Sequence, residues 1–187
     1  IALAKALEFN RDLKSANLAA NGIGDEGAAA ICKALKTNTT LEALVLGGMQ
    51  YGGNNIGATG AQEIAKMLVF NKALKSADFS DNDIGDEGTA ALSDALKSNS
   101  TLETLELRRN EVGAAGAQSL AGMLQVNRAL NTLDLSDNNI AGISRIEKDK
   151  LQGTSFKKGD TVQYNGQQCI VFMEEDSDGD LKVQNLS

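Results

Sequence analysis

Histidine, proline and tryptophan do not occur in this 187-residue chain, and it holds two cysteines. Without histidine there can be no His-based catalytic triad, no HExxH zinc site and no imidazole general base. The cysteines, Cys32 and Cys169, lie far apart in segments of different character. That is the usage of a reducing compartment, so a cytoplasmic location is expected. No apolar run approaches the roughly 18–20 residues needed to span a bilayer, and no signal peptide is expected. A membrane is therefore not among the expected partners. The formal net charge of −7 argues against nucleic acid as well. The length suffices for one sizeable core or two small ones.

What the chain has instead is repetition. Leu102–Ala129 contains Leu102, Leu105 and Leu107, then Asn110, then Gly113 and Gly116, then Leu120, Leu124 and Asn127. The same phrase occupies Leu13–Thr40, Leu41–Ala73 and Leu74–Thr101. The second of these is longer by five residues, inserted near Met49–Gly53. A fifth unit starts at Leu130 but lacks the Gly-x-x-Gly helix opening, and residues 1–12 match the back half of a unit. The chain thus opens in mid-repeat, and upstream repeats or a cap are expected there.

Each unit predicts a short strand followed by a helix. Leucine-type residues at the first, fourth and sixth positions face inward, and the helix returns an apolar stripe at i, i+3/i+4 and i+7. One unit cannot bury that face alone, whereas stacked units bury a continuous core. The turn asparagine offers a donor and an acceptor to backbone groups leaving the strand. The glycine pair permits a tight turn and close helix approach. The asparagine that ends each helix suits a left-handed C-cap.

These residues resemble the leucine-rich repeats of the ribonuclease-inhibitor type, LxxLxLxxNxIGxxGAxxLAxxLxxN, over about 140 residues of the chain. The Asn and Ile-Gly forms are more similar to the repeats of Ran GTPase-activating protein and of NOD-like receptors. The resemblance implies an α/β solenoid over residues 1–142, a horseshoe with parallel strands on its concave side and helices outside.

From Ile143 the pattern changes. Residues 143–155 read as a charged linker, and 156–187 as a three-stranded antiparallel meander with Asn165-Gly166 and Asp178-Gly179 at its turns. Gly159-Asp160-Thr161-Val162 with Asp176-Ser177-Asp178-Gly179-Asp180 is similar to the Src-homology-3-like modules of mind-bomb ubiquitin ligases. Three short strands are marginal alone, so they are expected to cap the solenoid.

Several motifs look like chemistry and read better as architecture. Gly22-Ile-Gly24-Asp-Glu-Gly27 is a formal dinucleotide fingerprint, but sister units replace its first glycine by Asn55, Asp83 and Glu111. Asp25 and Glu26 would moreover repel a pyrophosphate at that helix start. Asn38 and Asn99 fit glycosylation sequons, yet they occupy the helix-end slot that Asn10, Asn71 and Asn127 fill without one. The run Asp176–Asp180 resembles a calcium loop, but the twelfth position is Ser187 where a bidentate Glu is required. Cys32 and Cys169 read as small packed residues. No cofactor, metal or catalytic residue is therefore expected.

Function is expected in the columns that neighbouring strands form on the concave side. One column reads Asn17, Val45, Asp78, Glu106, Asp134. The next two read Ala19, Gly47, Ser80, Arg108, Ser136 and Ala20, Gly48, Asp81, Arg109, Asp137. The second half of the arc is densely charged, and three carboxylates in a row are nothing that folding of the repeat asks for. A protein partner with a basic surface would use them. The competing reading makes Asp81 and Asp137 a surface ladder flanking Arg109, worth little. Tyr51, in the inserted loop, is a second candidate contact. The expected function is a non-catalytic protein-binding scaffold; the alternative is regulation of a small GTPase, which the Ran GTPase-activating resemblance implies.

Overall fold

The computed structural model describes residues 2–48 and 53–140, and the backbone of strands at 161–164, 167–172 and 182–185. The repeat resolves into an alternation of helices and three-residue strands. These are α1 (Ala2–Phe9), β1 (Ser15–Asn17), α2 (Gly24–Leu35), β2 (Ala43–Val45), α3 (Ala58–Phe70) and β3 (Ser76–Asp78). They continue with α4 (Gly85–Leu96), β4 (Thr104–Glu106), α5 (Ala114–Leu124) and β5 (Thr132–Asp134). The five strands pair parallel, with Ala16, Leu44, Ala77, Leu105 and Leu133 in one row. Successive helices pack side by side behind them.

The core lies between sheet and helices. Leu41, Leu46, Leu74, Phe79, Leu102 and Leu107 from the strand side are fully buried, as are Ile64, Leu68, Leu92 and Leu96 from the helices. Each such side chain contributes roughly 1.5–3 kcal/mol of transfer free energy. Leu13 holds the same repeat position as Leu41 but remains exposed, because no unit stacks on its outer side in this structure.

Two asparagine ladders stitch the units together. In the first, the turn asparagine of one unit bonds the backbone of the unit before it. Asn82 Oδ1 accepts from the N–H groups of Asn54 and Ile56, both at 3.0 Å, while its amide donates to Leu46 O, Phe79 O and Ser80 O. Asn54 and Asn138 repeat the pattern. In the second ladder, Asn38, Asn71, Asn99 and Asn127 each donate to carbonyls at the end of the preceding helix, as in Asn99 Nδ2 to Leu68 O at 2.7 Å. Their Oδ1 atoms accept from N–H groups two and three residues ahead. The expected left-handed C-cap is therefore wrong. Asn71 is extended (φ −67°, ψ 130°), and the side chain makes the turn instead of the backbone. Buried and bonded in this way, Asn38 and Asn99 serve the stack.

The units also alternate in kind. Helices α2 and α4 begin with a left-handed glycine, Gly24 (φ +62°) and Gly85 (φ +60°), followed by Asp-Glu. Helices α3 and α5 instead begin on extended glycines, Gly57 and Gly113. Their orphan N–H groups are capped from the unit before. Asp25 Oδ1 accepts from Gly57 N–H at 2.7 Å and Gly60 N–H at 3.0 Å. Asp86 Oδ1 accepts from Gly113 N–H at 2.7 Å and Gly116 N–H at 2.8 Å. A Cβ on Gly60 would lie 2.5 Å from that Asp25 oxygen, so the second glycine of the pair makes room for the cap. The apparent dinucleotide fingerprint is thus a helix-capping device in which the acidic residue is already engaged.

Beyond the repeats, β6 (Thr161–Tyr164) runs parallel beside β5, and β7 (Gln167–Phe172) and β8 (Lys182–Asn185) follow it antiparallel. The expected linker 143–155, the turns at 165–166 and 178–179, the loop 176–180 and the side chain of Cys169 lie outside the described residues. Cys32 is buried on α2, and burial pushes its thiol up to about 12. It is a packed thiol with no thiolate character at neutral pH.

Candidate functional site

The strands are too short for more than one inward residue each. The flanking residues of β2–β5 are half-buried on the opposite, concave side. The register stacks Asn17, Val45, Asp78, Glu106 and Asp134 in one column. Neighbouring parallel strands lie about 4.8 Å apart, so consecutive side chains in the column are within reach of one another.

The three carboxylates of this column do different work. Asp78 Oδ1 accepts from Ser80 N–H and Asp134 Oδ1 from Ser136 N–H, both at 2.8 Å. Asn17 does the same for Ala19 N–H at 3.0 Å. A short polar side chain here thus turns the chain out of the strand, and folding does ask for Asp78 and Asp134, contrary to expectation. Glu106 is one methylene longer and does not form this turn. Its carboxyl is held above the ordinary glutamate range, first by burial, then by the charges of Asp78 and Asp134 on either side. Glu106 is the carboxylate whose presence costs the fold something.

The next columns hold the mixed-sign cluster. Asp137 Oδ2 accepts from Arg108 Nε at 2.9 Å and from Arg108 Nη2 at 2.6 Å. The same oxygen accepts from Arg109 Nε at 3.1 Å, and Arg109 Nη1 reaches Asp81 Oδ1 at 3.5 Å. The Arg108 hydrogen bond is the main cause that holds Asp137 below the usual carboxylate range. The ladder expected between Asp81, Arg109 and Asp137 is present, and Arg108 joins it. These pairs are a third to a half exposed apart from Asp81, so each contributes at most about 1 kcal/mol. The two guanidiniums therefore face solvent already partnered by Asp137 and Asp81, and neither forms a salt bridge with Asp78, Glu106 or Asp134.

The bare half of the arc is bare for a reason. A Cβ on Gly47 would sit 2.6 Å from Asp78 Oδ1 and 3.0 Å from Ser80 N, so glycine there admits the Asp78 turn. Gly53, the last residue of the insertion, is pressed against the third unit, where a Cβ would overlap Asp81 O at 1.4 Å. Tyr51 itself lies outside the described residues. Beside the arginines, Asn55, Asp81, Asp83, Arg109, Glu111 and Asp137 line a shallow hollow open to solvent. Among the described residues no group of His, Cys, Asp and Glu is arranged to hold a metal ion, and no helix is long and apolar enough to cross a membrane.

Sequence patterning missed the inter-unit caps Asp25 and Asp86, although a signal existed. Asp-Glu follows the first glycine in the first and third units and Ala-Thr or Ala-Ala in the second and fourth.

Comparison with known proteins agrees with this geometry. The family model described as Leucine Rich repeat matches residues 9–32, 71–93, 98–121 and 126–143. The gap between the first two matches falls on the unit lengthened by the insertion. No curated protein matches the chain. Among solved structures, the chain is similar to leiomodin-1 actin-binding site 2, with a TM-score of 0.63 and 22% identity over 74% of this chain and 78% of that one. It is also similar to the tropomodulin C-terminal domain of Caenorhabditis elegans, with a TM-score of 0.60 and 14% identity over 81% of this chain and 87% of that one. At such identities the likeness shows the fold. The four matched stretches are similar to leucine-rich repeats, and the parallel strand stack and the ladders between units have the fold of these two structures.

Proposed function

We propose that the chain is a non-catalytic protein-binding scaffold that holds a basic partner on its concave face. The observation that carries this reading is Glu106. It sits half-buried between two like charges, makes no turn of its own, and is destabilised as an anion where it stands. A cationic side chain from a partner would relieve that repulsion, whereas Asp78 and Asp134 are already explained by the turns they form. Arg108, Arg109, Asp81 and Asp137 form a rim of paired charges that a partner can meet with either sign, giving register and on-rate more than affinity. Residues 156–187 are read as a small β module, set off by the linker 143–155, that caps the last repeat. A reducing, cytoplasmic setting fits the cysteine usage.

The test is binding by the full chain. Glu106→Gln with Asp134→Asn should weaken capture of a basic protein ligand at least tenfold. Unchanged affinity would sink the concave-face reading. Actin is a separate protein to try, because leiomodin-1 actin-binding site 2 shares the fold, but as an acidic protein it does not test the basic-partner reading. An assay of GTP hydrolysis by small GTPases, with and without the chain, separates this reading from GTPase regulation; stimulation would favour the latter.

A further inference from the structure

The alternation between units reappears on the edge where helices end and strands begin, and there it concerns solvent. The residue before each helix-end asparagine is Phe9, Phe70 and Val126 at the ends of α1, α3 and α5, but Thr37 and Ser98 at the ends of α2 and α4. The hydroxyls of Thr37 and Ser98 bond Ala34 O and Ala95 O in their helices. The three apolar side chains stand out instead, 75%, 65% and 54% exposed. Stacking does not require them, since two sister units do without.

The residue after the asparagine alternates in step. It is Arg11, Lys72 and Arg128 beside the apolar residues, but Thr39 and Ser100 in the other two units. Lys36 adds an exposed cation at the end of α2, and Lys97 at the end of α4 is paired with Asp94 at 2.8 Å. Cations at helix C-termini complement the helix dipole, and that accounts for their sign. It does not account for two exposed phenyl rings and a valine placed in register with them.

We propose that this edge is a docking surface for an anionic lipid membrane, with Phe9, Phe70 and Val126 as shallow anchors and the neighbouring cations facing lipid headgroups. Three observations favour a lipid surface over a shaped protein partner. Equivalent positions of successive solenoid units lie along one side of the stack, so the anchors present together to a plane. They stand two units apart, roughly 16–20 Å at helix-packing distances, with polar residues between them. A lipid interface accepts isolated protruding side chains, whereas a protein would need a separate pocket for each. Thirdly, every anchor has a cation two residues away, the pairing that surface-lying membrane segments use.

The net charge of −7 does not oppose this. Glu8 and Asp12 flank the Phe9 anchor and Asp94 pairs with Lys97, but Asp25, Glu26, Asp86 and Glu87 sit at the helix starts, on the opposite edge. A twelve-residue helix puts them about 18 Å away, more than two Debye lengths at physiological salt. The absence of a membrane-spanning segment is likewise silent about a surface that lies on a bilayer.

The test is vesicle co-sedimentation of the full chain with neutral phosphatidylcholine and with phosphatidylcholine containing about a third phosphatidylserine. Binding to the anionic vesicles should exceed that to neutral ones at least tenfold at low salt and fall steeply with added salt. The variant Phe9→Ser, Phe70→Ser, Val126→Ser carries a hydroxyl residue of the kind its sister units use and should lose at least tenfold in binding. Its thermal midpoint reports that it is folded. A second variant, Arg11→Glu with Lys72→Glu, should abolish the preference for anionic lipid. Equal binding to both vesicles, or full binding by the folded triple variant, overturns the proposal. So does capture of an acidic amphipathic peptide by this edge without any vesicle binding.

Discussion

Replacing Glu106 by glutamine keeps its shape and removes one charge from the middle of the concave column. Strand spacing of about 4.8 Å puts the Glu106 carboxylate near both Asp78 and Asp134. Each like-charge pair at that range costs about 0.9 kcal/mol in water and several times more at the effective dielectric of a protein surface. Half-burial adds a desolvation cost, while exposure and salt reduce the whole. The net expectation is that Glu106→Gln stabilises the protein by about 1 kcal/mol at pH 7, a rise in Tm of roughly 2–4 °C for a chain of this size.

The sign with pH follows from the raised carboxyl. The folded state holds this proton more tightly than the unfolded chain does. The penalty is therefore absent below the ordinary value of 4.5 and grows as pH rises through the raised folded value. Differential scanning calorimetry of both proteins at pH 7 and at pH 4 should show the gain at the first and little of it at the second. An unchanged or lower Tm at pH 7, or an equal gain at pH 4, refutes the reasoning. A variant that is more stable yet binds a basic partner less well has the profile of a residue kept for function.

Other substitutions probe the stack. Asp86→Ala removes the acceptor shared by Gly113 and Gly116 and should cost about 1–2 kcal/mol in urea denaturation, whereas neighbouring Glu87→Ala should stay within about 0.5 kcal/mol. Asn82→Ala orphans two buried N–H groups and strips donors from three carbonyls. It should cost about 3 kcal/mol or more, enough to halt cooperative unfolding of the array as one unit. Ser93→Ala should stabilise by about 1 kcal/mol, because the Ser93 hydroxyl is buried without a partner where sister units carry Ala65 and Ala121. A lower Tm for Ser93→Ala would show that the hydroxyl has a bond after all.

The leucines, the glycine pairs and the turn asparagines were legible in the sequence because each recurs in register. A residue type that returns at one position of every unit reports the contact that every unit makes. Repetition also marked Glu106, Arg108 and Arg109 as departures from the shared pattern, and register alone placed Glu106 between Asp78 and Asp134.

What sequence could not decide were contacts that join one unit to the next. Asp25 looked like the start of its own helix, and only stacking brings its carboxylate to Gly57 and Gly60 of the following one. The helix-end asparagines suggested a left-handed backbone, yet their amides have carbonyls to meet one unit away, so the backbone stays extended. Asp78 and Asp134 passed for functional charge until the turn to Ser80 and Ser136 was visible. Periodicity determines which face each side chain takes, whereas a hydrogen bond depends on distance and direction within a few tenths of an ångström, and only the packed stack supplies those.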